Sequence, residues 1–126
     1  CYVIHGVKST RKKLLVIEDE PCIRQVLELH LLAAGYDVIC AENAVDGLAS
    51  LPCGVSAVIC DFSLPDMDGI QLIRGIKLVN ASMPVIVISG FLDDGNADKV
   101  MALGVAEFLR KPFSKEALLS AVADVL

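Results

Sequence analysis

Several features that would settle a function at once are missing from this 126-residue chain. No apolar run comes near the roughly 18 residues needed to cross a bilayer, although 55% of the residues are hydrophobic and the mean hydropathy is +0.63. A heavily buried interior is expected instead of a membrane span. The five cysteines (Cys1, Cys22, Cys40, Cys53 and Cys60) include no CxxC pair. Their odd number and apolar surroundings argue against a disulfide framework and for small hydrophobes in a reducing cytoplasm. No charged segment followed by an apolar one opens the chain, so no secretory leader is expected, and the start at Cys1 reads as a continuation from upstream. Internal repeats, low-complexity tracts and Ser/Gly linkers are absent too.

Basic charge is scarce in most of the chain. Residues 1 to 13 contain Lys8, Arg11, Lys12 and Lys13 and no acid, which leaves seven of the 11 basic residues against all 16 acids in the rest, a formal −9. Nucleic-acid binding rests on clustered Lys and Arg that neutralise phosphates, so no direct nucleic-acid contact is expected. The length suits one domain that buries its core without metal or disulfide staples. Residues 1–12 read as a basic lead or tether, and residues 13–126 as the domain.

What is present is a regular alternation. Five apolar runs, Leu14 to Ile17, Asp37 to Ala41, Ala57 to Cys60, Pro84 to Ser89 and Glu107 to Leu109, read as strands. Runs such as LLVI and VIVI are apolar on consecutive residues, as strands buried on both faces of a parallel sheet are. Between them lie segments of helical period. Pro21 to Ala34 sets Ile23, Val26, Leu27 and Leu31 on one face, begins with Pro and stops at Gly35. Ala44 to Leu51, Gly69 to Leu78, Asn96 to Leu103 and Ser114 to Val125 follow, with Pro52 and Gly104 as stops and Ser114 as an N-cap. Five βα units with short connections imply right-handed crossovers and helices on both sheet faces. The expected fold is α/β: a doubly wound, three-layer (βα)5 sandwich of flavodoxin type, with parallel strand order 2-1-3-4-5.

In such sheets the carboxyl ends of the strands carry the ligand site. Strand 1 ends in Glu18-Asp19-Glu20, strand 3 in Asp61 and strand 4 in Ser89, while strand 5 runs through Arg110 into Lys111-Pro112. Each close pair among Glu18, Asp19 and Asp61 would repel by roughly 3 kcal/mol at ~5 Å and an effective dielectric of ~20. A hard divalent cation of the Mg²⁺ type resolves this, and three carboxylates, one Mg²⁺ and Lys111 sum to zero charge. A carboxylate neutralised in this way can attack phosphorus, and phosphoryl transfer needs mainly positioning and charge stabilisation.

The stretches LLVIEDEP, VICDFSLPDMDG, PVIVISG and LGVAEFLRKPF, in that order, resemble the response-regulator receiver domain of two-component signalling over residues 13 to 126. The resemblance implies that Asp61 accepts a phosphoryl group from a histidine kinase or histidine phosphotransfer protein, giving a 4-aspartylphosphate. It implies Mg²⁺ held by Asp19, Asp61 and the backbone carbonyl of Ser63, with Glu18 joining directly or through water. Ser89 matches the switch hydroxyl, Lys111 the lysine that pairs with the phosphoryl group, Phe108 the switch aromatic, and Lys111-Pro112 the family's cis peptide. Glu18 stands where Asp is commoner, Ser89 where Thr is frequent, and Phe108 where Tyr is frequent. The switched surface would be the face of helix 4, strand 5 and helix 5, meeting an output domain or partner protein; phosphorylation-dependent homodimerisation there is a family alternative. Such a domain is a cytoplasmic phosphoacceptor and not a classical enzyme. Ala106-Glu107, in place of the paired acids common in winged-helix regulators, leans towards a hybrid histidine kinase or other multi-domain parent.

Plainer readings stand beside these. Glu20, Asp66 and Asp68 are expected to be solvated loop acids. Lys111 alone would read as a surface lysine, Phe108 as core and Ser89 as a turn residue. His5 and His30 lack partner spacing, and Cys60 should point away from the Asp61 carboxylate. An EF-hand is excluded, because with Gly69 at position six the loop would begin at Leu64 and end at Gly75. A haloacid dehalogenase-type phosphatase needs a second Asp two residues after the nucleophile, where Ser63 stands. A flavodoxin-like cofactor loop fails because Glu18-Asp19-Glu20 repels phosphate. A receiver that serves only as an unphosphorylated interaction module is the remaining rival.

Overall fold

Consecutive apolar residues need partners on both sides of a strand, and the architecture supplies them. The computed structural model describes residues 11–90 and 94–126, so most of the basic lead, including His5, lies outside the described residues. The order is β1 (Lys13–Ile17), α1 (Pro21–Ala33), β2 (Asp37–Ala41), α2 (Ala44–Ser50), β3 (Ala57–Asp61), α3 (Gly69–Val79), β4 (Val85–Ser89), α4 (Asp94–Ala102), β5 (Glu107–Arg110) and α5 (Lys115–Val125). The strands form one parallel sheet in the order β2-β1-β3-β4-β5, as expected from the βα alternation.

Side chains alternate across the sheet, so each central strand feeds two cores. Leu15, Ile17, Val58, Cys60, Val85 and Val87 pack with Ala44 of α2, with Leu72, Ile73 and Ile76 of α3, and with Val100 of α4. Leu14, Val16, Ile59, Ile86 and Ile88 pack on the other face with Leu27 and Leu31 of α1 and with Leu118, Ala121 and Val122 of α5. Both β3 and β4 are buried along their whole length, which explains why neither shows a polar alternation.

The helix ends follow local chemistry. Asn43, Asp68 and Ser114 each accept a backbone N–H from the first turn of α2, α3 and α5. Gly35 closes α1 with φ of 99°, a conformation that costs a side chain but not glycine. Three details differ from the sequence expectation. Val26 is 47% exposed: of the α1 stripe, Leu27 and Leu31 are buried and Ile23 packs partly against the core, while Val26 faces outward. Pro52 does not stop the chain but sits in a 3-10 turn, Leu51–Cys53, that extends α2. Helix α4 begins at Asp94, two residues before the expected Asn96.

One close approach shapes the loop after β3. A Cβ at Gly69 would lie 2.6 Å from the Phe62 carbonyl oxygen and closer still to the Phe62 ring. Backbone cannot yield as cheaply as a side-chain tip, so Gly69→Ala is expected to cost about 1–3 kcal/mol. A lower urea midpoint at unchanged slope checks this; an unchanged midpoint contradicts it.

Candidate functional site

Registers across the sheet bring the strand ends level. Ile17 lies beside Cys60, Asp61 beside Ile88, and Ser89 beside Arg110. The residues that follow β1 and β5 therefore meet Asp61, the last residue of β3. Glu18 is fully buried, its backbone N–H donating to the Ala41 carbonyl at 3.1 Å, while Asp19 beside it is exposed. Lys111 follows β5, its backbone N–H donating to the Ser89 carbonyl at 2.8 Å, and its peptide bond to Pro112 is cis, as expected.

One ammonium group joins the two buried acids. Lys111 Nζ donates to Asp61 Oδ2 at 2.7 Å and to Glu18 Oε1 at 2.8 Å. The other Asp61 oxygen, Oδ1, accepts from the Ser63 backbone N–H at 2.8 Å, so the carboxylate is held at both ends. Carboxylate oxygens of Glu18, Asp19 and Asp61 all lie within 4.8 Å of one another. At that spacing each pair of anions repels by about 3 kcal/mol at an effective dielectric of ~20.

Lys111 offsets one of the three negative charges and leaves two. Burial, and then the neighbouring Asp61 carboxylate, push the Glu18 carboxyl from its ordinary 4.5 up to about 7, against the downward pull of Lys111. For Lys111 itself burial opposes the charge, but the Asp61 and Glu18 carboxylates outweigh it and raise its pKa. Glu18 Oε2 is buried with no hydrogen-bond partner among the described residues. A stranded carboxylate oxygen beside two further carboxylates is the donor set of a small, hard divalent cation, so these residues fit a Mg²⁺-type ion.

The remaining expected site residues sit close by along the sheet. Ser89 is buried at the end of β4. Phe108 pairs with Val87 and is half-buried against the α2–α3–α4 core, with the Arg110 guanidinium 5.8 Å above its ring. Ser89 follows Val87 by two residues, so Ser89 and Phe108 belong to the same sheet face. Cys60 lies in the α2–α3–α4 core, as the alternation with Asp61 requires, and burial followed by the Asp61 charge pushes its thiol up to about 12. Both causes disfavour the thiolate, the form that redox chemistry requires.

Three contacts were not anticipated from the sequence. Lys111 reaches Glu18 as well as Asp61. Asp66, expected to be a solvated loop acid, accepts from the Ala44 and Val45 backbone N–H groups at 3.0 and 3.1 Å, so it caps α2 from the β3–α3 loop. Those N–H groups hold its carboxyl below the usual carboxylate range. Arg24 of α1 donates to the carbonyls of Glu18 and Asp19. The acceptors and donors in the last two cases are backbone atoms, which no residue motif encodes.

A family model described as the response regulator receiver domain matches residues 14–123. The transcriptional regulatory protein GlrR of Escherichia coli strain K12 is 38% identical over 114 residues, covering 90% of this chain and 26% of GlrR. The transcriptional regulatory protein FixJ of Bradyrhizobium diazoefficiens is 31% identical over 120 residues, covering 94% of this chain and 58% of FixJ. Among solved structures, a response regulator receiver domain protein from Clostridium thermocellum superposes with a TM-score of 0.85 at 32% identity, covering 90% of this chain and 93% of that one. A response regulator receiver protein from Pseudomonas putida gives 0.86 at 32%, covering 93% and 99%. The chain thus spans from a quarter to somewhat over half of these two curated relatives.

The acid cluster sets a pH dependence. A carboxyl whose pKa rises on folding holds its proton more tightly in the folded chain, so its contribution to stability is complete below about 4.5 and is lost as the pH climbs through about 7. In EDTA the domain is expected to lose stability across that window, and Glu18→Gln, which keeps the shape without titrating, to flatten the loss. Urea midpoints measured across the window decide it, and equal slopes for the two proteins contradict it.

Proposed function

The chain belongs to the response regulator receiver domain family, and from that premise we propose that it is a phosphorylatable signalling receiver with Asp61 as the phosphoacceptor. The observation that carries this reading is the bridging of Asp61 and Glu18 by Lys111 at the carboxyl edge of the sheet, with Asp19 alongside. The donor is a phosphohistidine on a histidine kinase or histidine phosphotransfer protein. An Asp61 carboxylate oxygen attacks phosphorus, the P–N bond breaks, and the imidazole leaves with a proton, giving an acyl phosphate on Asp61.

The chain's own groups do the positioning. The Ser63 N–H and Lys111 fix the two carboxylate oxygens before any donor arrives, which removes rotational freedom from the nucleophile. As the acyl phosphate forms, Lys111 passes from the carboxylate to a phosphoryl oxygen and keeps a charge-assisted bond throughout. Glu18, Asp19, Asp61 and the Ser63 carbonyl would hold Mg²⁺, which when bound would offset the carboxylates and the incoming phosphoryl charge.

The switch follows from charge. A phosphoryl group brings roughly −1.5 to −2 charge and three acceptor oxygens. The Ser89 hydroxyl is drawn inward to one of them, and Phe108 turns into the space released, repacking α4, β5 and α5. That face contacts an output domain or a partner protein, or a second copy of the chain. We place this exchange in the cytoplasm. No helix among the described residues is long and apolar enough to cross a membrane.

Incubation with Mg²⁺ and acetyl phosphate, followed by intact mass, is expected to add one phosphoryl group. Asp61→Asn and excess EDTA should each abolish the addition, and Lys111→Ala should slow it by about 10²-fold or more. An addition that survives Asp61→Asn would overturn the assignment.

A further inference from the structure

The β1–α1 connection presents two of the three clustered carboxylates, yet little within it holds its shape. Glu20 stands at the N-cap of α1 without a side-chain cap bond, and Pro21 at the first helical position has no N–H to give. The restraint comes from Arg24, one turn into the helix. Its Nη1 donates to the Glu18 carbonyl at 2.8 Å and to the Asp19 carbonyl at 3.3 Å. Its Nη2 lies 3.7 Å from Glu42 Oε1, on the segment that follows β2. The Arg24 side chain is only 17% exposed, whereas Glu42 is 74% exposed, so the inner end of this contact chain is the buried one.

The guanidinium is therefore directed at the backbone of the two acidic residues, and among the described residues it forms no ion pair with the carboxylates of Glu18, Asp19 or Asp61. Both bonds leave Nη1, so one end of the planar guanidinium serves two successive carbonyls, which fixes their orientation relative to the helix and with it the directions of the Glu18 and Asp19 side chains. We propose that Arg24 is a positioning residue for the cation site: it sets the β1–α1 loop so that Glu18 and Asp19 converge with Asp61. The proposal rests on the metal-site reading above, and the test separates the two.

The sign of the effect distinguishes positioning from simple electrostatics. A cationic Arg24 near a cation site repels the metal, so removing its charge alone tightens binding. Losing a residue that orients the ligands weakens it, by about 10–100-fold for outer partners of metal ligands. Isothermal titration of the whole chain with Mg²⁺ alone is expected to show at least tenfold weaker binding for Arg24→Gln, with unchanged far-ultraviolet circular dichroism. Arg24→Lys keeps the charge but offers a flexible point donor in place of the planar guanidinium, and is expected to fall between. Glu42→Gln, which removes only the exposed contact, should match the wild type. Equal or tighter Mg²⁺ binding by Arg24→Gln overturns the proposal, as does wild-type binding by Arg24→Lys, since the guanidinium geometry would then be dispensable. Should Arg24→Gln fail to fold, the Lys variant decides alone. A wild-type chain that takes up no Mg²⁺ removes the metal-site reading and this proposal together, whereas wild-type binding with unaltered variants removes only this one.

Discussion

Two short hydrogen bonds from the Lys111 ammonium, to Glu18 and to Asp61, are the contact on which the site depends. Residues 93 and 50 positions apart in sequence are joined at a point where like charges would otherwise drive the strand ends apart. Lysine alone leaves the balance negative, and the molecule shows the remainder in two ways: a Glu18 carboxyl pushed up to about 7, and a buried Glu18 oxygen without a partner. A proton or a divalent cation at the cluster would answer the same excess charge. This ties the proposed chemistry to divalent cation rather than to a conventional acid–base pair.

The sheet makes that contact possible at modest cost. Cores on both faces bury the inner residues of β1, β3 and β4, so the acids and the lysine of the cluster occupy strand ends and the loops beyond them. The loops are then tied individually. Asp66 links the β3–α3 loop to the start of α2, and Arg24 holds the β1–α1 loop from α1. A cluster of like charges has to be held together against its own repulsion, and α1 and α2 contribute by tying the loops beside it.

Most of the fold was legible in the sequence because its signals are local. The β2 limits fell on Asp37 and Ala41 as the apolar run suggested, and Ser114 caps α5 as its place before a helical period implied. Misplacements arose where tertiary packing decides. Val26 fits the α1 period, yet α1 lies so that Leu27 and Leu31 take the sheet-facing positions. The residues of the site were legible for the same reason: parallel strands deliver their ends to one edge, so Glu18, Asp19, Asp61, Ser89 and Lys111 had to gather. Hidden from the sequence were their partners, since Arg24 and Asp66 bind backbone atoms and the Glu18–Lys111 bond joins residues 93 positions apart.

The central claim is that Asp61 carries the phosphoryl group as an acyl phosphate, and borohydride tests it most directly. An aspartyl acyl phosphate is reduced to homoserine, whereas a free carboxylate is untouched. Protein treated with acetyl phosphate and Mg²⁺, reduced and digested, is predicted to give homoserine at position 61 and at no other acid. Homoserine at Asp19 or another acid, or none at position 61 in a protein that has gained a phosphoryl group, would contradict the account.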